Sequence, residues 1–320
     1  TPLSAFARSL GAQDADTRTP MRFPMYTVPL HAVLQMVEIE PHEELKAKGL
    51  VIEFDKNLGN AAFVSHQWLG RDHPDPRFEQ FRVLQQALRH VMNNLDLVPL
   101  DAYTEAIVPQ AKPLHTSALR AKLLWIWYDY FSCPQLEPAL SQGKHSCSLL
   151  QAIDSIPAYV AECSFFFALC PIVETQDGSK LRTASSWSQR GWCRLERVCR
   201  ELCPDSSWIM VKGPTQVELI VSSPAINGGA IGEGEFTVQD DRQKLAPILA
   251  GALKQKLLSL LRCQDVVGYR VLLNQQNSYL RGLEVQELYE LVPGFESSDG
   301  CNSVMAFFHQ NGFTNVRETD

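Results

Sequence analysis

The chain has 320 residues, with 36 acidic and 29 basic side chains and a formal net charge of -7. This length predicts about two domains, and the 45% hydrophobic content excludes a wholly disordered chain. No long Lys/Arg run is present, which argues against a protein that binds duplex nucleic acid, because such proteins neutralise phosphates with basic side chains. The longest apolar run, 163–173, is about half of the ~20 residues that a membrane-spanning helix needs, so no membrane span is predicted.

The nine cysteines are an odd number, and several lie inside apolar segments. This usage favours a reducing, cytoplasmic location over a disulfide framework. Because the chain opens at Thr1 rather than at a methionine, we expect a processed or excised piece of a longer protein. Residues 1–22 are polar and aperiodic, and we expect them to form a flexible N-terminal segment.

An N-terminal helical extension is predicted over 23–57. Pro29 suits the first turn of a helix over 29–37, a second short helix runs from Pro41 to Gly49, and 50–54 is typical of a strand.

The centre of the chain, 58–215, alternates strands with helices. Apolar runs predict four strands, and stripes of apolar residues at helical spacing predict the helices between them. This order favours an α/β fold with a parallel, doubly wound sheet that carries helices on both faces. The strands are expected at 61–65, 123–128, 164–170 and 207–211, and the helices at 78–95, 147–162 and 192–202.

The tail, 216–320, is predicted to be a helical C-terminal module. A Gly-rich stretch over 225–235 is expected to be a loop, and a Leu-rich helix follows over 240–261. A second helix is predicted over 266–282, with short helices near 284–290 and 302–311.

Polar clusters follow three predicted elements, at 65–68, at 129–135 and at 187–196. In an open α/β sheet, ligands bind beyond the carboxyl ends of the strands, which is where the first two clusters fall. The third opens a helix, whose backbone N–H groups favour an anion. A P-loop, a dinucleotide fingerprint and a nucleophile elbow are all missing from the sequence.

These clusters carry a resemblance. The run Ala62-Phe63-Val64-Ser65-His66 resembles the first strand of TIR domains, and Trp192-Cys193-x-x-Glu196 resembles a helix of plant TIR domains. The segments 125–129 and 133–135 are similar to those of heterokaryon-incompatibility domains, which are relatives of TIR domains. The blocks 25–68 and 73–76 resemble a protist group that is abundant in dinoflagellates and often continues into ankyrin repeats. The ending 308–313 is similar to the lead-in to those repeats.

The resemblance implies a flavodoxin-like, TIR-type sheet at about 58–215 and an enzyme that cleaves the nicotinamide–ribose bond of NAD in signalling. By the motif spacing, Glu196 matches the catalytic glutamate. NAD would be the substrate, and no further cofactor and no metal are implied. The residues expected to line the nucleotide pocket are Ser65, His66, Gln67, Trp68, Asp129, Arg190 and Trp192.

An alternative function remains open. Many TIR-like domains signal by contact alone, and the stretch from Leu245 to Leu261 would then dock a protein partner or a second copy of the chain.

Structural alternatives remain open for single residues as well. Glu196 alone could be a solvated residue paired with Arg200 one turn on, and Arg194 and Arg197 beside it would hold it ionised or sequester it in a salt bridge. His66 could be a hydrogen-bonded residue at a strand end, and Asp129 could cap the turn that follows it.

Two possible metal clusters also have structural readings. Cys199 and Cys203 lie one helical turn apart, where packing is the commoner role than Zn²⁺ binding. The imidazoles and carboxylates near His73 and Asp75 are better explained by a rigid, Pro-flanked turn.

Overall fold

The computed structural model of the chain describes residues 19–135, 148–221 and 229–284. It divides into two compact units, Pro20–Gly228 and a second made of Thr1–Thr19 with Gly229–Asp320. In the described part of the first unit, the strands are β1 (Tyr26–Pro29), β2 (Ile52–Glu53), β3 (Asn60–His66), β4 (Leu97–Val98), β5 (Leu114–His115), β6 (Leu124–Trp127), β7 (Phe165–Leu169), β8 (Val173–Glu174), β9 (Leu181–Arg182), β10 (Ser207–Val211) and β11 (Val217–Val221).

The helices of this unit connect these strands. In chain order they are α1 (Leu30–Val33), α2 (His42–Ala47), α3 (Glu79–Asn93), α4 (Ala102–Ile107), α5 (Ser117–Arg120), α6 (Asp129–Ser132), α7 (Ser148–Asp154), α8 (Ile156–Glu162), α9 (Ala184–Gln189) and α10 (Gly191–Glu201).

The fold is α/β, built on a seven-stranded sheet with the order β11-β10-β7-β3-β6-β1-β2. The four predicted strands β3, β6, β7 and β10 are confirmed, and they run parallel at its centre. If these four strands are numbered 1 to 4 along the chain, their order across the sheet is 2-1-3-4, which is compatible with a flavodoxin-like fold. The predicted parallel sheet is confirmed at the centre only: the sheet as a whole is mixed, because β1, β2 and β11 pair antiparallel toward its two edges.

Both domain boundaries drawn from the sequence need correction. The segment 23–57, predicted to be a helical extension, supplies β1 and β2 to the same sheet and lies in the same compact unit. The segment 216–221, assigned to the C-terminal module, forms β11. The physical reason is a hairpin: Gly213 and Pro214 turn the chain back, and every residue of β11 then pairs antiparallel with a residue of β10. The sheet unit is therefore larger than 58–215.

Each face of the sheet has its own apolar layer. On one face, Ala62 and Val64 of β3 belong to a buried cluster with Phe81, Leu84 and Leu88 of α3. On the other face, the ring of Phe63 stacks on Trp127 at 4.2 Å and on Phe166 at 5.3 Å. The ring of Tyr159 from α8 lies 5.5 Å from that of Trp127. Successive side chains of a strand point to opposite faces of the sheet. Ser65 therefore lies on the same face as Phe63, and His66 lies on the same face as Val64.

The start of β3 depends on a tight turn that ends at Gly59. Gly59 has φ 148° there, a backbone conformation that side chains rarely adopt. A Cβ atom on Gly59 would lie 2.2 Å from the carbonyl oxygen of Leu123. The close approach lets the backbone N–H of Asn60 donate to that same oxygen at 2.8 Å, which aligns β3 with β6.

In the second unit, the two predicted helices are confirmed as α11 (Asp241–Arg262) and α12 (Val266–Leu280), which pack against each other. The proposed docking face between Leu245 and Leu261 is corrected, because the leucines that recur every four residues along it are buried. They are core side chains and are not available to a partner. The short helices predicted further on fall on residues 285–320, outside the described part of the chain.

Among the helices within the described ranges, none is both long enough and apolar enough to cross a bilayer.

Candidate functional site

The end of β3 brings two carboxyl groups together, because its last two residues each bind one of them. Ser65 Oγ donates a hydrogen bond to Oε2 of Glu196 at 2.5 Å. His66 Nε2 lies 2.8 Å from Oδ1 of Asp129, at the start of α6 just beyond β6. The three polar clusters predicted at element ends therefore do converge at the carboxyl edge of the sheet, where open α/β sheets bind ligands.

The environment of Glu196 differs from the one expected from the sequence. Burial raises the pKa of its carboxyl group to about 8; the hydrogen bond from Ser65 opposes this rise, the charge of Asp129 adds to it, and that of His66 opposes it. The side chain lies on α10, one residue after the buried Leu195. A carboxyl group with this pKa carries a proton at neutral pH.

The arginines near Glu196 in the sequence bind other groups. Arg200 is not its partner one turn on, since the Arg200 guanidinium contacts Asp205 at 2.9 Å and the carbonyl of Ser207 at 2.7 Å. Arg194 Nε donates to the carbonyl of Ser188 at 2.8 Å, and Arg197 Nε lies 3.3 Å from Glu201. The expectation that neighbouring arginines keep Glu196 ionised is therefore wrong, because the burial of its carboxyl group dominates.

His66 and Asp129 form an ion pair. Burial alone would lower the pKa of His66, but the charge and hydrogen bond of Asp129 offset it, and the net shift is upward. Burial would raise the pKa of Asp129, and it is lowered instead by His66 and by hydrogen bonds from the indole of Trp68 at 2.8 Å and from the backbone N–H of Tyr130 at 2.6 Å. The structural alternatives for both residues thus hold, and the pair also lies beside Glu196.

Three residues that were not among the predicted site residues complete the site: Tyr128, Trp187 and Cys193. Trp187 is fully buried, and its indole N–H donates to Ser65 Oγ at 3.0 Å. The Tyr128 ring stacks on the His66 ring with centroids 4.0 Å apart. The thiol of Cys193 donates to the carbonyl of His66 at 3.4 Å, and burial raises its pKa well above the usual range. All three lie in or next to the polar clusters, which was the one available signal.

The remaining predicted pocket residues divide into two groups. Gln67 is buried and structural: its amide donates to the carbonyl of Thr183 at 3.1 Å and accepts from the hydroxyl of Ser186 at 2.9 Å. Arg190 immediately precedes α10 and Trp192 lies in its first turn, and both are only partly buried. With Trp68 and Asp129, these two present the more accessible polar and aromatic surface of the set.

The other clusters singled out in the sequence have structural explanations. Asp75 Oδ1 and Oδ2 accept the backbone N–H groups of Glu79 and Phe81 at 3.0 and 2.8 Å, which confirms a rigid turn ahead of α3. The thiol of Cys203 donates to the carbonyl of Cys199 at 3.3 Å. Within the described residues, no group of three or more His, Cys, Asp or Glu side chains is arranged to hold a metal ion.

The site therefore contains two carboxyl groups whose pKa values are shifted apart, with Asp129 lowered and Glu196 raised. Opposed shifts of this kind are typical of acid–base and ion-stabilising sites, because one group stays ionised while the other exchanges a proton. No protein-family model, no curated protein and no solved structure matches the chain.

Proposed function

We propose that the chain is a TIR-like NAD nucleosidase that cleaves the bond between nicotinamide and ribose, with Glu196 as the catalytic carboxylate. One observation carries this proposal: a glutamate with the spacing of a TIR catalytic motif has its carboxyl group partly buried at the carboxyl edge of a parallel sheet, and its pKa is raised to about 8. A group with this environment is typical of catalytic carboxyls.

The chemistry needs one carboxylate. The bond between C1′ of the ribose and the nicotinamide nitrogen breaks, and its electron pair leaves with neutral nicotinamide. The ribose that remains resembles an oxocarbenium ion, and ionised Glu196 stabilises its positive charge. Water then adds to C1′ and loses a proton. The cationic nicotinamide ring of NAD favours ionisation of Glu196 when it binds beside it.

The surrounding residues have roles in binding under this proposal. The ion pair of His66 and Asp129 fixes a charged wall next to Glu196, and the partly exposed Asp129 carboxylate accepts from a ribose hydroxyl. Arg190, at the start of α10, attracts the pyrophosphate, and the aromatic side chains of Trp68 and Trp192 stack on flat rings. The reducing conditions that the cysteine usage favours make the cytoplasm the proposed location.

The test is nicotinamide release. The purified chain at high concentration, incubated with NAD, is expected to release nicotinamide, and Glu196→Gln is expected to abolish that release. Glu218→Gln is a matched control, because that carboxylate pairs with Lys212 on the sheet edge. Equal release by the wild type and by Glu196→Gln would overturn the assignment.

A second candidate is a non-catalytic assembly module, and one surface favours it. Ile172 and Leu181 are 71% and 55% exposed; Ile172 directly precedes β8, and Leu181 lies in β9 of the same small hairpin. The register opposes Leu181 to Glu174, so the pleat puts Ile172 and Leu181 on one face of this hairpin. Light scattering distinguishes this candidate: concentration-dependent association that Leu181→Asp removes, together with a lack of nicotinamide release, would favour the module.

A further inference from the structure

A chain of three side chains leads from the buried layer of the sheet unit to Glu196. Trp187 Nε1 lies 3.0 Å from Ser65 Oγ, and Ser65 Oγ lies 2.5 Å from Glu196 Oε2. Ser65 and Trp187 are buried, with 0% and 1% of their surface exposed. Their positions are fixed by different elements, since Ser65 lies in β3 and Trp187 in α9.

The chemistry of the three groups determines which group donates in each of these two hydrogen bonds. An indole N–H can only donate, so Trp187 occupies one of the two acceptor positions of the Ser65 oxygen. The single hydroxyl proton of Ser65 is then available to Oε2 of Glu196, which accepts it. Donation of this kind stabilises the ionised form of the carboxyl group, and Ser65 indeed opposes the upward shift of the Glu196 pKa that burial causes.

We propose that Ser65 and Trp187 are positioning residues that hold Oε2 of Glu196 from behind and turn Oε1 toward the substrate. This proposal rests on the proposed function for its catalytic meaning. With Oε2 engaged, the proton that Glu196 carries at neutral pH belongs on Oε1, the oxygen that must lose it before it can face a positively charged ribose. The indole strengthens the hydroxyl as a donor, because hydrogen bonds in series polarise one another. Ser65 and Trp187 thereby set both the orientation and the charge of the carboxyl group.

The test compares the pH dependence of nicotinamide release among four variants. Ser65→Ala is expected to move the acid limb of kcat/KM upward by about one pH unit, which is about a tenfold loss at pH 7 and little loss above pH 9. Trp187→Phe, which keeps the ring but removes the donor, is expected to move the limb by a smaller amount in the same direction. Ser65→Thr retains the hydroxyl and is expected to restore the wild-type limb. Ser207→Ala removes a hydroxyl that bonds Asp205 and takes no part in the hydrogen bonds to Glu196. It is expected to leave the acid limb of kcat/KM unchanged.

A loss of equal size at every pH in Ser65→Ala and in Trp187→Phe would overturn the proposal, because it would show a structural role alone. If Ser65→Ala does not fold, the acid limbs of kcat/KM in Trp187→Phe and Ser65→Thr decide the question. If the wild-type chain releases no nicotinamide, the proposed function fails while the positioning role stays testable. The Glu196 side-chain carboxyl is then titrated by ¹³C NMR, with Glu196→Gln to assign its signal. An upward shift of the Glu196 pKa in Ser65→Ala supports the positioning role of Ser65, and an unchanged titration overturns it.

Discussion

The imidazole of His66 and the carboxylate of Asp129 form an ion pair, 2.8 Å apart, that joins the carboxyl ends of β3 and β6. His66 would favour its neutral form if it were buried alone, and Asp129 would favour its protonated form, but each partner reverses the shift of the other. The raised pKa of His66 and the lowered pKa of Asp129 both favour the charged pair, whereas the carboxyl group of Glu196 beside it has its pKa raised to about 8. The site therefore favours the ionised form of one carboxyl group, Asp129, and the protonated form of the other, Glu196.

Replacing Asp129 by Asn is expected to lower the pKa of His66 and to destabilise the sheet unit by about 1–3 kcal/mol, since the buried His66 ring loses its counter-charge and its charge-assisted hydrogen bond. The size is reduced because the Asp129 side chain is 35% exposed. The stabilisation from Asp129, whose folded pKa is lowered, is present above the usual 3.8 and is lost on acidification. That from His66, whose folded pKa is raised, is present below the usual 6.5 and is lost as the pH rises.

The difference between wild type and Asp129→Asn should therefore be largest between pH 3.8 and 6.5, and should shrink in alkali. Urea unfolding at pH 5 and pH 9 measures it, with the exposed Asp72→Asn as the control. A difference that does not depend on pH would contradict an ion pair.

The rate of nicotinamide release is expected to depend on pH through Glu196. If the ionised carboxyl group is the active form, kcat/KM should rise about tenfold per pH unit through the neutral range and level off above about pH 8, the raised pKa of the free enzyme. Saturation with NAD should move this limb to lower pH, because the cationic ring stabilises the carboxylate. Initial rates between pH 6 and 9.5 measure both, and a flat profile would count against Glu196.

The same residue predicts an effect on stability that needs no activity. The folded pKa of Glu196 is raised to about 8 from an ordinary 4.5, so the unfolded chain releases this proton first. The wild-type protein should lose stability relative to Glu196→Gln as the pH rises from 4.5 to 8, by at most about 1.4 kcal/mol per pH unit. Partial exposure of the group reduces that slope. Unfolding free energies of the two proteins at pH 5, 7 and 9 measure it, and parallel curves would show that the carboxyl group is not buried as described.

How far the sequence predicted this molecule depends on the length of each pattern. The runs that became β6, β7 and β10 were visible because parallel strands buried on both faces are continuously apolar. The strand predicted over 50–54 is confirmed as β2, although only two of its residues pair. β1 has four residues, which is too short for a period to appear, and one of its neighbours, β6, lies far along the chain. The antiparallel pairing of β1 with β2 and β6 could not be predicted from local pattern.

The site was predicted as three clusters but not as a set of contacts. Glu196 was identified by its motif spacing, and its partner Ser65 lies 131 residues away in the sequence. Helical spacing suggested Arg200 instead, but the guanidinium of that residue bonds Asp205 and the backbone carbonyl of Ser207. Trp187 is a core residue, and its hydrogen bond to Ser65 depends on the tertiary fold.

The turn before β3 predicts a large loss of stability. In Gly59→Ala, the new methyl group would lie 2.2 Å from the backbone oxygen of Leu123, and φ at 148° is unfavourable for alanine. The chain must move away from β6 there, so we expect a loss of more than about 2 kcal/mol. Because β3 carries Ser65 and His66, the shift should also reach the site.

Gly213→Ala is the matched control within the same unit, because its nearest contact is the flexible end of Gln216 at 3.3 Å. Thermal unfolding of both variants decides the comparison: a clear drop in Tm for Gly59→Ala and a small change for Gly213→Ala are expected. Equal changes in the two would mean that β3 and β6 can separate at this turn at no cost. The alignment that brings Ser65 to Glu196 would then have to come from the rest of the sheet.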